Sequence, residues 1–340
     1  MRLEHAPQDR TLGCLLGALI GDAVGRKMAD PDSQDGEQLK LSDEGQRILF
    51  VAEGVMRGAA RVARGFGGAV PSTIWYALQR WLATQGEEAR PEAQARNQRV
   101  GLFSRKELHS RRDPQRTILN SLREAADTHC QSKPNSLRGA SGITHAIAIG
   151  LTGATHRADW ATQVTAFTHG SIEAQSTAAC LAEIVGLAAT GTALPVAANT
   201  AIESIEFIPL RIRISETLEA IELDKEIEFT EPHQAVDALC LALYAAVKHR
   251  GFEPGLGYAV QRQRVTTAST LITGALLGAW LGISDIPPKV LDNLELLDVA
   301  KQVCDDYYTV FHGECEADLI RDALEKYPPE LPEDYIGMAA

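Results

Sequence analysis

The chain has 340 residues, of which 45% are hydrophobic and 6% are aromatic, and its formal net charge at pH 7 is -12. This composition suits an alanine-rich globular protein, and the acidic excess argues against a partner that is a nucleic acid or an anionic membrane. The six cysteines are scattered without a C-x-x-C pair, which disfavours a zinc site or a disulfide framework and suits a reducing compartment. We expect a cytoplasmic protein, and export by a route without a cleaved signal also fits this sequence.

The first predicted helix covers residues 11–24, where leucines recur at helical spacing. Asp9 is its expected N-cap, and the segment 21–25 is expected to end it. Asp22, at that expected end, fits a structural role better than the role of a metal or substrate ligand. Every fourth position of this helix is a glycine: Gly13, Gly17 and Gly21.

A second helix is predicted to begin at Ser42, Asp43 and Glu44, with apolar residues at helical spacing through 48–56. A hydroxyl and two carboxylates at a helix start can cap the helix and complement its dipole. The same oxygens suit a hard cation such as Mg²⁺. Ser42, Asp43 and Glu44 are therefore the candidate metal ligands if the protein holds a metal, and capping alone is the interpretation that the triplet favours.

Further helices are predicted wherever apolar residues keep the helical period, and polar segments between them are predicted loops. The predicted helices lie at 73–82, 118–122, 146–151, 173–189, 195–213, 216–226, 232–249 and 290–309. The predicted loops include 26–39, 86–99, 127–138 and a glycine-containing segment at 251–257. The acidic, proline-rich tail from 328 to 340 is expected to be frayed.

Two short motifs in the middle of the chain are candidate ligand contacts. Ser141, Gly142, Ile143 and Thr144 form a small-residue turn before a helix, where backbone amides can hold a phosphate. His169 precedes the next helix, where it is a candidate ligand contact, although a lone histidine in this place is more often a helix cap or a packed residue.

The glycine spacing of the first helix returns at 271–282, in Gly274, Gly278 and Gly282. A glycine inside a helix costs roughly 1 kcal/mol relative to alanine, so three in register indicate the close approach of another backbone. Two such helices at opposite ends of the chain suggest one central helix pair, although two ordinary core helices would show the same pattern.

No segment alternates convincingly with period two, and no shift of composition marks a domain boundary. The sequence therefore predicts an all-α fold of ten or more helices in a single domain over residues 1–340.

In order and spacing, these motifs resemble those of the ADP-ribosylglycohydrolase family, which includes dinitrogenase-reductase-activating glycohydrolase. Residues 13–25 are similar to the family's G-x-L-x-G-x-x-x-G-D-A-L-G, 42–45 to its T-D-D-T, 112–117 to its R-x-P-G-x-T, and 141–150 to its N-G-A-A-M-R-x-x-P-x-G. Thr168 and His169 match its T-H pair, and 265–268 occupy the place of its D-T-D-T. The resemblance implies a compact multi-helix bundle with a cleft that holds ADP-ribose above two magnesium ions.

The sequence departs from the family at the metal motifs that the resemblance implies. Val265 and Thr267 stand where the family has carboxylates, Ala268 stands where it has a hydroxyl, and Gln263 and Arg264 replace glycines. A dinuclear magnesium site needs several anionic oxygens, so we expect the two-metal site to be altered or lost. No cofactor is predicted with any strength, and Mg²⁺ is the candidate if one binds. Arg262 or Arg264 could supply the missing positive charge to a diphosphate, or both could be solvated loop residues.

The resemblance leads to a first hypothesis, a divergent glycohydrolase that acts on or binds ADP-ribose or ADP-ribosylated proteins. Asp43 and Glu44 would then be its acid/base or electrostatic groups, by the logic of glycoside hydrolysis. The candidate ligand-binding residues are Ser42, Ser141, Gly142, Ile143, Thr144, His169, Arg264, Thr266 and Thr267. The alternative is a non-catalytic pseudoenzyme that binds ADP-ribose or blocks a partner protein, as an immunity protein or effector would. A helical scaffold unrelated to nucleotides is the third hypothesis, and it predicts no ligand pocket near Asp43 and His169.

Overall fold

The computed structural model describes residues 6–29, 38–67, 70–88, 101–124, 135–262, 267–313 and 317–329. Within these ranges the regular structure is helical. Pairing of the β type is limited to two isolated bridges, Leu39 with Leu294 and Gly139 with Gln234. The predicted all-α fold is therefore confirmed.

The described residues form fifteen α-helices, which we number in chain order. They are α1 (Gln8–Ala29), α2 (Asp43–Ala63), α3 (Val70–Thr84), α4 (Arg116–Glu124), α5 (Ala146–Gly150), α6 (Arg157–Thr165), α7 (Ile172–Ala189), α8 (Leu194–Glu203), α9 (Ile208–Glu222), α10 (Ala235–Lys248), α11 (Phe252–Arg262), α12 (Ala268–Leu281), α13 (Pro288–Asp292), α14 (Leu297–Phe311) and α15 (Ala317–Glu325). Short 3-10 turns lie at Leu102–Ser104, Lys106–Leu108, Ala140–Gly142 and Ile283–Asp285.

Helices α1 and α12 form the central pair of the bundle. They run antiparallel, so that Gly13 faces Gly278 and Gly17 faces Gly274. A methyl group added to Gly13 would lie 2.6 Å from the carbonyl oxygen of Gly278, far inside van der Waals contact. The glycines thus let two backbones touch, and the predicted central helix pair is confirmed.

Besides the end of α1, which continues past the expected 21–25 to Ala29, three predicted helix boundaries are wrong, and contacts with distant residues bear on two of them. The predicted loop at 251–257 is the first half of α11, where Gly255 is needed because an added methyl group would lie 2.9 Å from Leu277. The predicted helix 290–309 is two helices, because Leu39 pairs with Asn293 and Glu295 and so interrupts it. Leu296, at the break, has a positive φ of 58°. The helices predicted at 195–213 and 216–226 are displaced, since the break lies before α9 at 204–207.

Helix α7 is long and apolar enough to cross a membrane by length and composition, and 67% of it is buried inside the protein. A central helix of a packed bundle has the same properties. The buried apolar side chains form one large cluster that includes residues of α1, α2, α7, α10 and α12. This core fixes the start of α2 and the start of α12 beside the middle of α1, and the candidate site lies there.

The described part of the tail begins with a contact rather than a frayed end. The carbonyl oxygen of Pro328 accepts a hydrogen bond from Arg57. The rest of the tail predicted to fray, 330–340, lies outside the described residues.

Candidate functional site

Asp22 joins three distant parts of the chain at the candidate site. Its Oδ2 accepts a hydrogen bond from the backbone nitrogen of Ser42 at 2.7 Å. Its Oδ1 accepts from the Ser42 hydroxyl at 2.5 Å and from the Thr267 hydroxyl at 3.0 Å. Gly45 leaves the necessary room, because a side chain at this position would collide with the Asp22 carboxylate. The expectation that Asp22 ends a helix is wrong, since α1 continues to Ala29 and Asp22 instead fixes the site.

Ser42 caps α2, as the capping interpretation predicts. Its backbone is extended, and its hydroxyl oxygen accepts a hydrogen bond from the Glu44 nitrogen at 3.0 Å. This cap directs Asp43 and Glu44, in the first turn of α2, toward the buried side of the helix. Glu44 Oε2 also accepts from the Thr267 hydroxyl at 3.3 Å, so one threonine links the acids of α1 and α2.

Arg47 is the residue of this site that the sequence interpretation missed. It follows Asp43 by one helical turn, and its Nη2 lies 3.4 Å from Asp43 Oδ2 and 3.9 Å from Glu44 Oε1. Its Nη1 donates to the carbonyl oxygen of Ser141 at 3.4 Å. The guanidinium carbon lies 5.6 Å from the ring centre of Trp81, a cation–π distance. The i, i+3 and i, i+4 spacing to two acids was the available signal.

The three carboxyl groups are shifted toward their neutral forms. Burial raises the pKa of Asp22 to about 6, although hydrogen bonds from Ser42 and Thr267 act against it. Burial likewise raises the pKa of Glu44 to about 8, with Arg47 acting in the opposite direction. The pKa of Asp43 is raised by burial and by the nearby charge of Asp113, and Arg47 opposes both. Three acids therefore lie together with one guanidinium beside two of them, and the site holds a proton at neutral pH.

Two buried histidines line the other side of Arg47. His169 packs against Gly142, where a methyl group would collide with its imidazole, and its Nδ1 lies 2.9 Å from the Thr168 hydroxyl. Burial and then the charge of Arg47 lower the pKa of His169 to about 4. The same two causes, in the same order, lower the pKa of His145. Both rings are therefore neutral near pH 7 and can accept as well as donate hydrogen bonds.

The small-residue turn of 139–143 brings Ser141 to the site but uses most of its amides internally. The nitrogens of Ala140, Gly142 and Ile143 donate to backbone carbonyls within the protein. The hydroxyl of Thr144 donates to the Ser141 carbonyl at 3.3 Å. The phosphate-binding role predicted for the amides of Gly142 and Ile143 is thus contradicted by their hydrogen bonds. Ser141 retains a weak contact to Gln115 at 3.5 Å and faces the site beside Arg47.

The remaining candidate ligand and cation residues lie at the end of α11 and between α11 and α12. Thr267 lies at the site, whereas Arg264 and Thr266 lie outside the described residues. Arg262 does not supply a cation to the acids, because it pairs with Glu226 at 3.5 Å and stacks on Tyr258 at 3.6 Å. That correction leaves Arg47 as the guanidinium that faces Asp43 and Glu44.

The loop 109–115 brings the charge of Asp113 near Asp43. Asp113 has a positive φ of 50°, a conformation that is unfavourable for a side-chain-bearing residue and often marks functional segments. Arg112 holds the loop in place through two hydrogen bonds. Its Nη2 donates to Glu295 Oε2 at 2.9 Å, and its backbone nitrogen donates to Gln85 Oε1 at 3.0 Å.

Several buried polar atoms of the site make no well-formed hydrogen bond, although Asp43 Oδ2 and Arg47 Nη2 face each other in an ion pair. Asp43 Oδ2, Arg47 Nε and Nη2, and both ring nitrogens of His145 have no hydrogen bond of good geometry to the described residues. Unsatisfied buried polar atoms in a native structure require an explanation, and bound ligand or water atoms would satisfy these. The group therefore has the character of a binding site.

The described residues do not fit a pair of magnesium ions. They contain no group of three or more His, Cys, Asp and Glu side chains arranged to hold a metal. The acids of the site are instead arranged around the Arg47 guanidinium, which repels a dication at this range. The oxygens of Ser42 and Thr267 are engaged with Asp22.

Comparison with known proteins points to one family. The family model described as ADP-ribosylglycohydrolase matches residues 3–317. Forty-five chains of solved structures match the fold. One of them, from an "ADP-ribosylglycohydrolase-related protein complex", is 20% identical in sequence, with a TM-score of 0.64, and the match covers 88% of this chain and 97% of that one. No curated protein sequence matches the chain significantly.

Proposed function

The chain belongs to the ADP-ribosylglycohydrolase family, and on that basis we propose that it binds an ADP-ribose-like ligand at Asp43 and hydrolyses its glycosidic bond without a two-metal site. The observation that carries the proposal is the group of buried polar atoms on Asp43, Arg47 and His145 that make no well-formed hydrogen bond within the described residues. These atoms lie where the family's ligand-binding motifs converge. They offer acceptors and donors that suit the hydroxyl and phosphate oxygens of such a ligand.

Asp43 and Glu44 take the chemical roles in this proposal. A carboxylate beside the ribose stabilises the positive charge that develops as the glycosidic bond breaks. Asp43 suits this role because its Oδ2 faces Arg47 in an ion pair at 3.4 Å and accepts no well-formed hydrogen bond from the described residues. Glu44, buried and held by Thr267, donates the proton that the leaving group takes. Water adds its oxygen to the anomeric carbon, and the proton that it releases restores Glu44.

The first test is calorimetric titration with ADP-ribose, in magnesium and then in chelator. We expect binding that survives the chelator and an affinity that falls about tenfold or more in Asp43→Asn, the loss expected for one hydrogen bond to a charged group. Glu222→Gln, an exposed acid on α9, is the control and should bind as the wild type does. Absence of binding in both conditions would contradict the proposal.

The second test is release of ADP-ribose from an ADP-ribosylated protein. We expect turnover in chelator and a loss of about 100-fold or more in Asp43→Asn, the range of a catalytic carboxylate. Turnover that requires magnesium would show a metal site that uses residues outside the described ranges.

A second candidate function is a pseudoenzyme that binds ADP-ribose or an ADP-ribosylated partner without turnover. The ion pairs of Arg47 with Asp43 and Glu44 favour it, because a paired carboxylate is a weaker base and nucleophile. Binding without product in both assays would select this candidate over the hydrolase.

A further inference from the structure

We propose that Arg47 is a permanent cation of the site and takes, between Asp43 and Glu44, the place of a divalent metal. This inference deepens the proposed function and rests on it for the identity of the ligand. The exclusion of a metal ion does not rest on the proposed function, because it is argued from the contacts of Arg47. The starting observation is that a guanidinium lies 3.4 Å and 3.9 Å from the two acids of the first metal motif.

The surroundings of Arg47 fix its side chain firmly in this position. Its own helix supplies the acids, the Ser141 carbonyl accepts from Nη1, and Trp81 lies along one side of the guanidinium. The residue is 1% exposed, so a swing out to solvent would require the surrounding helices to separate. A side chain held on three sides is preorganised and loses little entropy when a ligand binds.

The charges at the site agree with replacement of a metal. Asp22, Asp43 and Glu44 all face this region, and a group of acids without compensation would attract a dication. Arg47 supplies positive charge at the same place, and a guanidinium keeps its charge throughout the accessible pH range. A metal ion would have to enter against that charge or displace a buried side chain.

Arg47 also retains capacity for a ligand. Its Nε and Nη2 are buried and make no hydrogen bond of good geometry within the described residues. An oxygen of the ligand that accepts from these donors would receive a charge-assisted hydrogen bond. Arg47 therefore acts as a binding residue that contacts the ligand through a guanidinium rather than through a metal.

The test measures divalent ions without any nucleotide, so its outcome is independent of ADP-ribose binding. We expect the wild-type protein to show no calorimetric binding of Mn²⁺ below a Kd of about 1 mM and no change of Tm between MgCl₂ and chelator. In Arg47→Met, the acids lose their cation and should gain Mn²⁺ affinity of at least about tenfold, with a Tm that rises with the ion.

Arg57→Met provides the matched control on the same helix. Arg57 is also buried beside a glutamate, Glu53, but Arg80 lies on that glutamate as well. This variant should lower Tm without any response to divalent ions. If Arg47→Met does not fold, Arg47→Gln keeps hydrogen-bonding capacity and removes the charge, and the same gain is expected.

Two results would overturn the inference. Tight Mn²⁺ binding by the wild-type protein would show that a metal and Arg47 share the site, and this titration needs no variant to fold. A folded Arg47→Met protein with no gain in Mn²⁺ affinity would show that Arg47 does not occupy a metal position. Failure of ADP-ribose binding alone would count against the proposed function and leave the metal result unaffected.

Discussion

Helix α2 carries two buried ion clusters that differ in their balance of charge. The site cluster, at the start of the helix, pairs Arg47 with Asp43 and Glu44, and Asp22 lies near enough to raise the pKa of Glu44. The scaffold cluster, roughly 15 Å further along the helix at 1.5 Å per residue, sets Glu53 between Arg57 and Arg80. The first has three acids and one arginine, and the second has one acid and two arginines.

The two clusters shift acid pKa values in opposite directions. Burial alone would raise the pKa of Glu53, but Arg57 and Arg80 outweigh it and lower the pKa. Both Glu53 oxygens are engaged, one by Arg57 at 2.7 Å and the other by the Leu102 nitrogen at 2.7 Å. In the site cluster burial prevails, and Asp43 Oδ2 has only the ion pair with Arg47 at 3.4 Å. Similar residue types therefore give an ionised acid at one end of α2 and acids shifted toward their neutral forms at the other.

The largest effect is expected from Glu53→Gln. It leaves two buried arginines without their carboxylate, and breaking a buried ion pair costs about 3–5 kcal/mol. Urea unfolding at pH 7 should show this loss in the free energy of unfolding.

Glu44→Gln is the matched change in the site cluster. At pH 7 the folded protein holds Glu44 protonated, whereas the unfolded chain holds it ionised, so the raised pKa of Glu44 costs stability. Removing this acid should therefore leave the free energy of unfolding unchanged or raise it by up to about 3 kcal/mol. Equal losses in the two variants would remove the contrast between the clusters.

The next effect is a pH dependence of stability, and we expect it from His169 beside the site cluster. His169 has a pKa of about 4 in the folded protein and an ordinary pKa near 6.5, so the unfolded chain takes up its proton first as pH falls. Its contribution to stability is complete above pH 6.5 and should fall by about 2 kcal/mol between pH 7 and pH 5. His145 acts in the same sense, and the raised pKa values of Asp22 and Glu44 act in the opposite sense.

The measurement is therefore a difference between two proteins. The free energy of unfolding of the wild type minus that of His169→Asn should decrease by about 2 kcal/mol from pH 7 to pH 5. A difference that is independent of pH would mean that His169 is accessible to protons in the folded protein.

The smallest effect is expected from Thr267→Val. It removes the hydroxyl that donates to Asp22 and lies near Glu44, and one hydrogen bond contributes about 1 kcal/mol. Thermal unfolding should show this loss, whereas Thr162→Val, which removes only a local bond to the Ala158 carbonyl, should change stability less. A larger loss in Thr162→Val would indicate that Thr267 adds nothing to the site cluster.

Periodicity predicted the fold well because helices leave their signal in neighbouring residues. The paired glycine spacing predicted that α1 and α12 touch, since a glycine face has few other uses in a helix. It could not show that Gly255 lies inside α11, because the residue that requires this glycine, Leu277, is distant in sequence. The break at Leu296 was equally hidden, since it depends on pairing with Leu39.

The site was predicted in part, for the same physical reason. Ser42, Asp43 and Glu44 lie together in sequence and are brought together by one helix cap. Arg47 was within reach of the i, i+4 rule, but its burial between those acids and Ser141 depends on the fold. The contact of Asp22 with Thr267 joins residues 245 positions apart, and no local pattern encodes it.

That contact has a consequence for how the protein is made. On the ribosome, α1 is made well before α12, so the glycine face of α1 must wait until all the helices between them have been made. Contacts between residues so distant in sequence slow folding, and surfaces that await them are open to incorrect association. The acids of α1 and α2 meet Thr267 only after the intervening chain has been made, so a product truncated before α12 would carry the start of the site without this helix.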